Sequence, residues 1–125
     1  MKVMKGVGTR LFNEIQKAIE KNSIIIVEGK KDKVALQQLG FRNIIVLHGR
    51  AFYKKIEEIV MAARKFKKEV IILTDLDKKG KQFYIRIKKE LTKEGIRTDD
   101  RLRKMLTREK ISHVEGFVSF VEKHI

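Results

Sequence analysis

Three short apolar runs, each ending in a polar or glycine-containing segment, constrain the fold of this chain most strongly. The runs lie at 24–27, 44–47 and 70–73, and they consist of isoleucine, valine and leucine without polar alternation. Such runs are typical of strands that are buried on both faces of a parallel sheet. Helical periodicity between the runs gives the order β-α-β-α-β-α, which predicts a doubly wound α/β fold with right-handed crossovers.

Apolar spacing and glycines predict the helices. A short helix is expected to begin with Asp32 as its N-cap and to end at Gly40. We expect the other helices over 8–21, 52–66, about 80–94, 101–108 and around 117–121. Residues 111–114 are expected to add a fourth strand, which gives a central, mainly parallel four-stranded sheet flanked by helices. The length of 125 residues predicts a single domain over 1–125.

The composition narrows the classes of partner and site. The chain has 30 Lys and Arg against 16 Asp and Glu and a formal net charge of +14. This excess favours polyanionic partners such as RNA or DNA. The absence of cysteine excludes disulfides, thiolate metal sites and cysteine nucleophiles. Apolar runs of four residues are far too short to span a bilayer, so we expect a cytoplasmic protein without a membrane partner.

Acidic residues follow two of the three predicted strands. Glu28 comes directly after the first, and Asp75 and Asp77 follow the third. Ligands of open parallel sheets bind outside the carboxyl ends of the strands, so we expect these three carboxylates to converge. Hard cations such as Mg²⁺ take oxygen ligands and leave positions for water and phosphate. The pattern therefore predicts a site for Mg²⁺ or Mn²⁺, with Glu28 as a ligand or a general acid or base. The alternative is that the two aspartates only cap the next helix.

Basic residues surround the acidic segments and are candidates for substrate binding. These candidates are Lys30, Lys31, His48, Lys79 and Lys81. Lysines can hold phosphates as point charges, although solvated loop lysines are an equally good interpretation of each one. A wider basic surface is expected from Lys81, Arg86, Lys88, Lys89 and Lys93, continued by Arg97, Arg101, Arg103, Lys104, Arg108 and Lys110.

The segments at the strand ends together resemble the Toprim domain of topoisomerases, bacterial-type primases, OLD-family nucleases and the ribonuclease that matures 5S ribosomal RNA. The resemblance covers roughly residues 20–95 and is carried by 25–32, 47–50 and 73–80. It implies a Rossmann-like Toprim fold. It also implies three residues that are both catalytic and metal-binding, which are Glu28, Asp75 and Asp77, and it implies Gly80 at the start of the next helix.

Two features depart from the pattern of the 5S ribosomal RNA ribonuclease. Leu76 stands where that enzyme has proline between the aspartates. Residues 113–116 are similar to a Val-Glu-His element in changed order, which makes Glu115 a further acidic candidate.

The resemblance implies a Mg²⁺-dependent enzyme that acts on nucleic-acid phosphodiester bonds, as a ribonuclease or nuclease. Two alternatives stay open, which are a non-catalytic nucleic-acid-binding module and a primase-like nucleotidyl transferase. The choice between RNA and DNA and the oligomeric state are open as well.

Overall fold

Strands and helices alternate through the first three strands, as the apolar runs predict. A computed structural model describes residues 7–47 and 52–124. The strands are β1 (Ile24–Val27), β2 (Ile44–Val46) and β3 (Val70–Ile72). The helices are α1 (Val7–Lys21), α2 (Lys30–Leu39), α3 (Phe52–Phe66), α4 (Lys78–Lys93), α5 (Arg101–Arg108) and α6 (Val114–His124). Within these residues, none of the helices combines the length and the apolar character that a bilayer span requires.

The sheet is parallel, with the strand order β2-β1-β3. The chain leaves the central strand β1 for β2 on one side and then crosses to β3 on the other side. The direction of winding therefore reverses between β1 and β3. In doubly wound sheets the crevice at such a switch point is where ligands bind.

Each face of the sheet is covered by its own apolar core. Ile25 and Val27 point toward α1, α2, α5 and α6, whereas Ile24 and Ile26 point toward α3 and α4. All four side chains are fully buried, and each burial stabilises the fold by about 1.5–3 kcal/mol. The alternation explains why β1 contains no polar residue, since both of its faces lie in a core.

The predicted fourth strand at 111–114 is wrong. Residues 111–113 form a loop and α6 begins at Val114. The loop passes over the ends of the strands, where the Leu76 N–H donates a 2.7 Å hydrogen bond to the Ser112 carbonyl. The edge beyond β3 is covered by an isolated parallel bridge between Val70 and Thr98. The predicted parallel arrangement is thus confirmed for three strands.

The predicted first residues of two helices also need correction. Helix α2 begins at Lys30 rather than after Asp32, and its N-cap is Gly29. The Asp32 carboxylate instead accepts a 3.1 Å hydrogen bond from the Gly29 N–H, inside the first turn. Gly40 ends α2 with a φ of 109°, as expected of a C-terminal glycine. Helix α4 begins at Lys78, two residues earlier than predicted.

Candidate metal centre

The structure brings the three predicted carboxylates together at the switch point. Glu28 follows β1, and the loop that carries Asp75 and Asp77 follows β3, the neighbouring strand. The charges of both aspartates act on Glu28, and the side chain of Asp75 lies close to that of Glu28. Glu28 and Asp75 are 47 residues apart in the sequence, and the pairing of β1 with β3 brings them together.

The environment of Glu28 favours its protonated form. Burial, followed by the negative charges of Asp75 and Asp77, raises the pKa of Glu28 from 4.5 to about 7, against a smaller opposing effect of Lys79. The oxygen Oε1 of Glu28 is buried and has no hydrogen-bond partner among the described residues. A divalent cation held by the aspartates would offset the negative charge that acts on Glu28, although Glu28 itself is not among the residues whose ligand atoms lie within 4.8 Å of one another. Carboxylate oxygens are the donors that Mg²⁺ and Mn²⁺ prefer, so the residues present fit such an ion.

The two carboxylate oxygens of Asp77 have different neighbours. Oδ1 accepts a 2.8 Å hydrogen bond from the Gly80 N–H and so caps α4. Oδ2 lies 3.8 Å from Nε2 of His113. The alternative interpretation of the two aspartates as helix caps therefore holds for one oxygen of Asp77, while the other oxygen is available to a ligand.

A histidine that sequence reasoning did not select lies beside the aspartates. Asp75, Asp77 and His113 each offer one ligand atom, and these atoms lie within 4.8 Å of one another. The only sequence signal was the similarity of 113–116 to a family element, from which Glu115 was chosen instead. The side chain of Glu115 lies outside the part of the chain that the structure describes.

A buried arginine holds the backbone that carries the aspartates. The Arg103 guanidinium donates to the carbonyls of Ile72 (3.2 Å), Thr74 (2.7 Å) and Asp75 (3.2 Å). It also lies over the ring of Tyr84, with 4.5 Å to the centroid. The prediction that Arg103 belongs to an exposed basic surface is wrong, because only 6% of the residue is exposed. Its two terminal nitrogens instead satisfy carbonyls where the β3 ladder ends.

The start of α4 packs directly on the same loop because residue 80 is glycine. A Cβ at Gly80 would lie 1.9 Å from the Asp75 carbonyl oxygen. The Thr74 hydroxyl donates a 2.7 Å hydrogen bond to the Gly80 carbonyl and closes the loop from the other side. Loop and helix thus form one tightly packed unit around Asp75 and Asp77.

The predicted phosphate-binding lysines lie in the first turns of α2 and α4. Lys30 and Lys31 begin α2, and Lys79 and Lys81 lie in α4, with all four residues exposed. Both helices begin at the edge of the sheet that carries the carboxylates. His48 lies outside the described residues.

The wider basic surface predicted on α4 is interrupted. Lys88 pairs with the Asp100 carboxylate and with the Tyr84 hydroxyl. The Arg86 guanidinium lies over the Phe52 ring, 4.1 Å from its centroid. Lys88 is therefore engaged within the protein, while Lys89 and Lys93 of the predicted surface are exposed.

Comparisons with known proteins agree with the fold. A family model described as a Toprim domain matches residues 22–112. A UPF0292 protein of Methanocaldococcus jannaschii is 32% identical in an alignment 124 positions long. This alignment covers 91% of this chain and 94% of that protein. A UPF0292 protein of Thermococcus onnurineus is 36% identical over 102 residues, covering 82% and 74% respectively. A solved structure of a protein from Aquifex aeolicus has a TM-score of 0.72 and 33% identity, and covers 86% of this chain and 94% of that one.

Proposed function

Because this chain belongs to the Toprim domain family, we propose that it is a divalent-metal-dependent enzyme that cleaves phosphodiester bonds of nucleic acid. One observation carries the proposal. The buried, unpartnered oxygen of Glu28 lies in a carboxylate cluster at the switch point, inside a protein with a formal net charge of +14. A cluster that only held the fold together would pair this oxygen, since an unsatisfied buried acceptor costs about 1–3 kcal/mol.

The proposed roles follow from the positions of the side chains. Asp75 and Asp77 would hold Mg²⁺ or Mn²⁺, with Glu28 completing the oxygen set or exchanging protons. When bound, the ion polarises a phosphoryl oxygen and lowers the pKa of a coordinated water. Glu28 would take a proton from the attacking water as the bond between phosphorus and the leaving oxygen breaks, and would return that proton to the leaving oxygen. A pKa of about 7 before the ion binds suits proton exchange near neutral pH, and the ion shifts the group toward the carboxylate.

The substrate class is proposed from the charge around the centre. Lysines at the start of two helices face the same edge, and helix N-termini add partial positive charge and free N–H groups for phosphate. A strand of RNA or DNA that crosses the carboxylates would contact both helix ends. His48 remains a candidate for substrate contact on the sequence alone.

A salt titration tests the partner. Binding of RNA or DNA should weaken steeply with salt, with a log–log slope of several units, because each neutralised phosphate releases counterions. The double substitution Lys79→Gln, Lys81→Gln should lower this slope by about two units. The matched control Lys65→Gln, Lys67→Gln changes two exposed lysines at the end of α3. An unchanged slope in the Lys79/Lys81 variant would place the nucleic acid away from the start of α4, and an equal fall for both pairs would show contact with no preference for the carboxylate edge.

A cleavage panel tests the activity. Labelled single- and double-stranded RNA and DNA are incubated with Mg²⁺ or Mn²⁺, with and without a chelator. We expect cleavage that requires the ion and falls about a hundredfold or more in Glu28→Gln, the usual scale for a general acid or base. The control Glu57→Gln changes an exposed glutamate of α3 and should keep full activity. Binding without cleavage would favour the non-catalytic module, and template-dependent incorporation of nucleotides would favour the primase-like alternative.

A further inference from the structure

We infer that His113 is a ligand of the divalent cation and biases the centre toward transition metals over Mg²⁺. The inference rests on the proposed metal site and specifies its selectivity. His113 lies one residue beyond the span that matches the Toprim domain, so this ligand is an addition from the C-terminal part of the chain.

The distances fit shared coordination. Atoms bound to one cation at about 2.1 Å lie about 3–4.2 Å apart, depending on whether they are adjacent or opposite. Nε2 of His113 is 3.8 Å from Oδ2 of Asp77, inside this range, and the ligand atoms of the set that includes Asp75 lie within 4.8 Å of one another, a limit slightly above it. The side chains of His113 and Asp77 are 58% and 47% exposed, so small rotations can bring them onto an ion.

The backbone holds the histidine segment against the aspartate loop. The Leu76 N–H, between the two aspartates, donates a 2.7 Å hydrogen bond to the Ser112 carbonyl. Leu76 and Ile111 both pack against the core beneath the loop. The position of His113 relative to the carboxylates is therefore fixed by main-chain and core contacts rather than by its weak attraction to Asp77.

The hydroxyl of the preceding serine lies beside the ring nitrogen of His113 that faces away from the site. Ser112 Oγ lies 2.8 Å from Nδ1 of His113. When the hydroxyl accepts from Nδ1–H, the lone pair is on Nε2, the nitrogen that faces Asp77. Histidine ligands of metal sites commonly have such a partner on the other ring nitrogen.

The chemistry of the donor set gives the selectivity. Mg²⁺ binds oxygen and gains little from an imidazole nitrogen, whereas first-row transition metals bind imidazole increasingly well from Mn²⁺ to Co²⁺. A centre of carboxylates with one histidine should therefore bind Co²⁺ and Mn²⁺ more tightly than carboxylates alone would.

The test compares ion affinities in protein without a histidine tag. Isothermal titration measures Kd for Mg²⁺ and Co²⁺ in the wild type, His113→Gln and the control His124→Gln, which removes an imidazole from the last residue of α6. We expect His113→Gln to raise the Kd for Co²⁺ about tenfold or more and to leave that for Mg²⁺ within about threefold. Pulsed EPR of bound Mn²⁺ should show coupling to a directly bound nitrogen, and this coupling should be absent in His113→Gln.

The outcomes separate the inference from the proposed function. If Asp75→Asn abolishes ion binding but His113→Gln changes neither the Co²⁺ affinity nor the nitrogen coupling, the histidine is not a ligand and only the inference fails. If the wild type binds none of these ions, both fail. A loss of Mg²⁺ and Co²⁺ affinity by the same factor in His113→Gln also overturns the inference, because the histidine would then confer no selectivity.

Discussion

Substitution of Gly80 by alanine should destabilise the fold although alanine favours helices. The added Cβ would lie 1.9 Å from the oxygen, 2.5 Å from the carbon and 2.8 Å from the Cα of Asp75. All three are backbone atoms, so no side chain can rotate away. The first turn of α4 must instead move by about 1 Å to restore the separation of ordinary nonbonded contacts.

The size of the effect follows from the bonds that this movement strains. It weakens the hydrogen bond from the Thr74 hydroxyl to the Gly80 carbonyl (2.7 Å) and that from the Gly80 N–H to Asp77 (2.8 Å). Each contributes about 1 kcal/mol, and residual crowding adds about 1–3 kcal/mol. Alanine returns at most about 1 kcal/mol through its helix propensity. We therefore expect a net loss of about 2–4 kcal/mol in the free energy of unfolding.

Gly116 provides the matched control. It lies at an exposed position in α6, and a Cβ there would meet the Ile111 Cγ2 at 3.7 Å, an ordinary contact. Gly116→Ala should keep or raise stability by up to about 1 kcal/mol. Urea unfolding of both variants, followed by far-UV circular dichroism, makes the comparison. Equal stability of Gly80→Ala and wild type would refute the close packing of α4 on the aspartate loop.

The other predictions also concern the centre and its support. In a chelator, Glu28→Gln should be about 1–2 kcal/mol more stable than wild type at pH 8 and similar at pH 4. The raised pKa of Glu28 removes wild-type stability as pH rises from about 4.5 to about 7, and solvent reduces this loss by about half because Glu28 is partly exposed. Equal urea midpoints at pH 8 would contradict it. Asp77→Asn should abolish ion binding in titration calorimetry and keep the free energy of unfolding within about 0.5 kcal/mol, since asparagine also caps helices. Asp77→Ala should abolish ion binding and also lower the free energy of unfolding by about 1 kcal/mol. Arg103→Lys should lower the free energy of unfolding in urea by about 2 kcal/mol or more, because an ammonium cannot reach three carbonyls. The exposed control Lys104→Gln should stay within about 0.5 kcal/mol of wild type. Equal losses in these two variants would argue against the stabilising role of the hydrogen bonds from Arg103 to the carbonyls.

Local sequence patterns are sufficient to predict β1, β2 and β3 and the approach of Glu28 to the aspartate loop. Buried β-branched runs have one simple interpretation, and parallel pairing places their carboxyl ends together. The run 111–114 was misassigned because its few apolar residues fit a strand and the start of a helix equally well. The main-chain bond to Leu76, which fixes this segment as a loop, is a tertiary contact.

The errors in the basic surface have the same origin. Arg103 lies three positions before Leu106 and one after Leu102, a spacing that places it near the buried face of α5, yet its charge suggested exposure. Its partners are carbonyls about 30 residues earlier in the chain. Lys88 likewise finds its partner in Asp100, after the helix has ended. The spacing of apolar residues within one helix carries no information about such contacts with distant parts of the chain.

The position of β2 at the end of the strand order has a consequence for self-association. Beside this strand lies an open groove of about 510 Å³, whose lining includes Lys30, Lys33 and Lys55. A second copy that added its own β2 edge to edge would bring two such sets of ammonium groups together and strip their water. Lysines beside an edge strand are a common means by which proteins prevent aggregation through open sheet edges. The positive charge that would suit a polyanionic substrate therefore also opposes edge-to-edge pairing of two copies through β2.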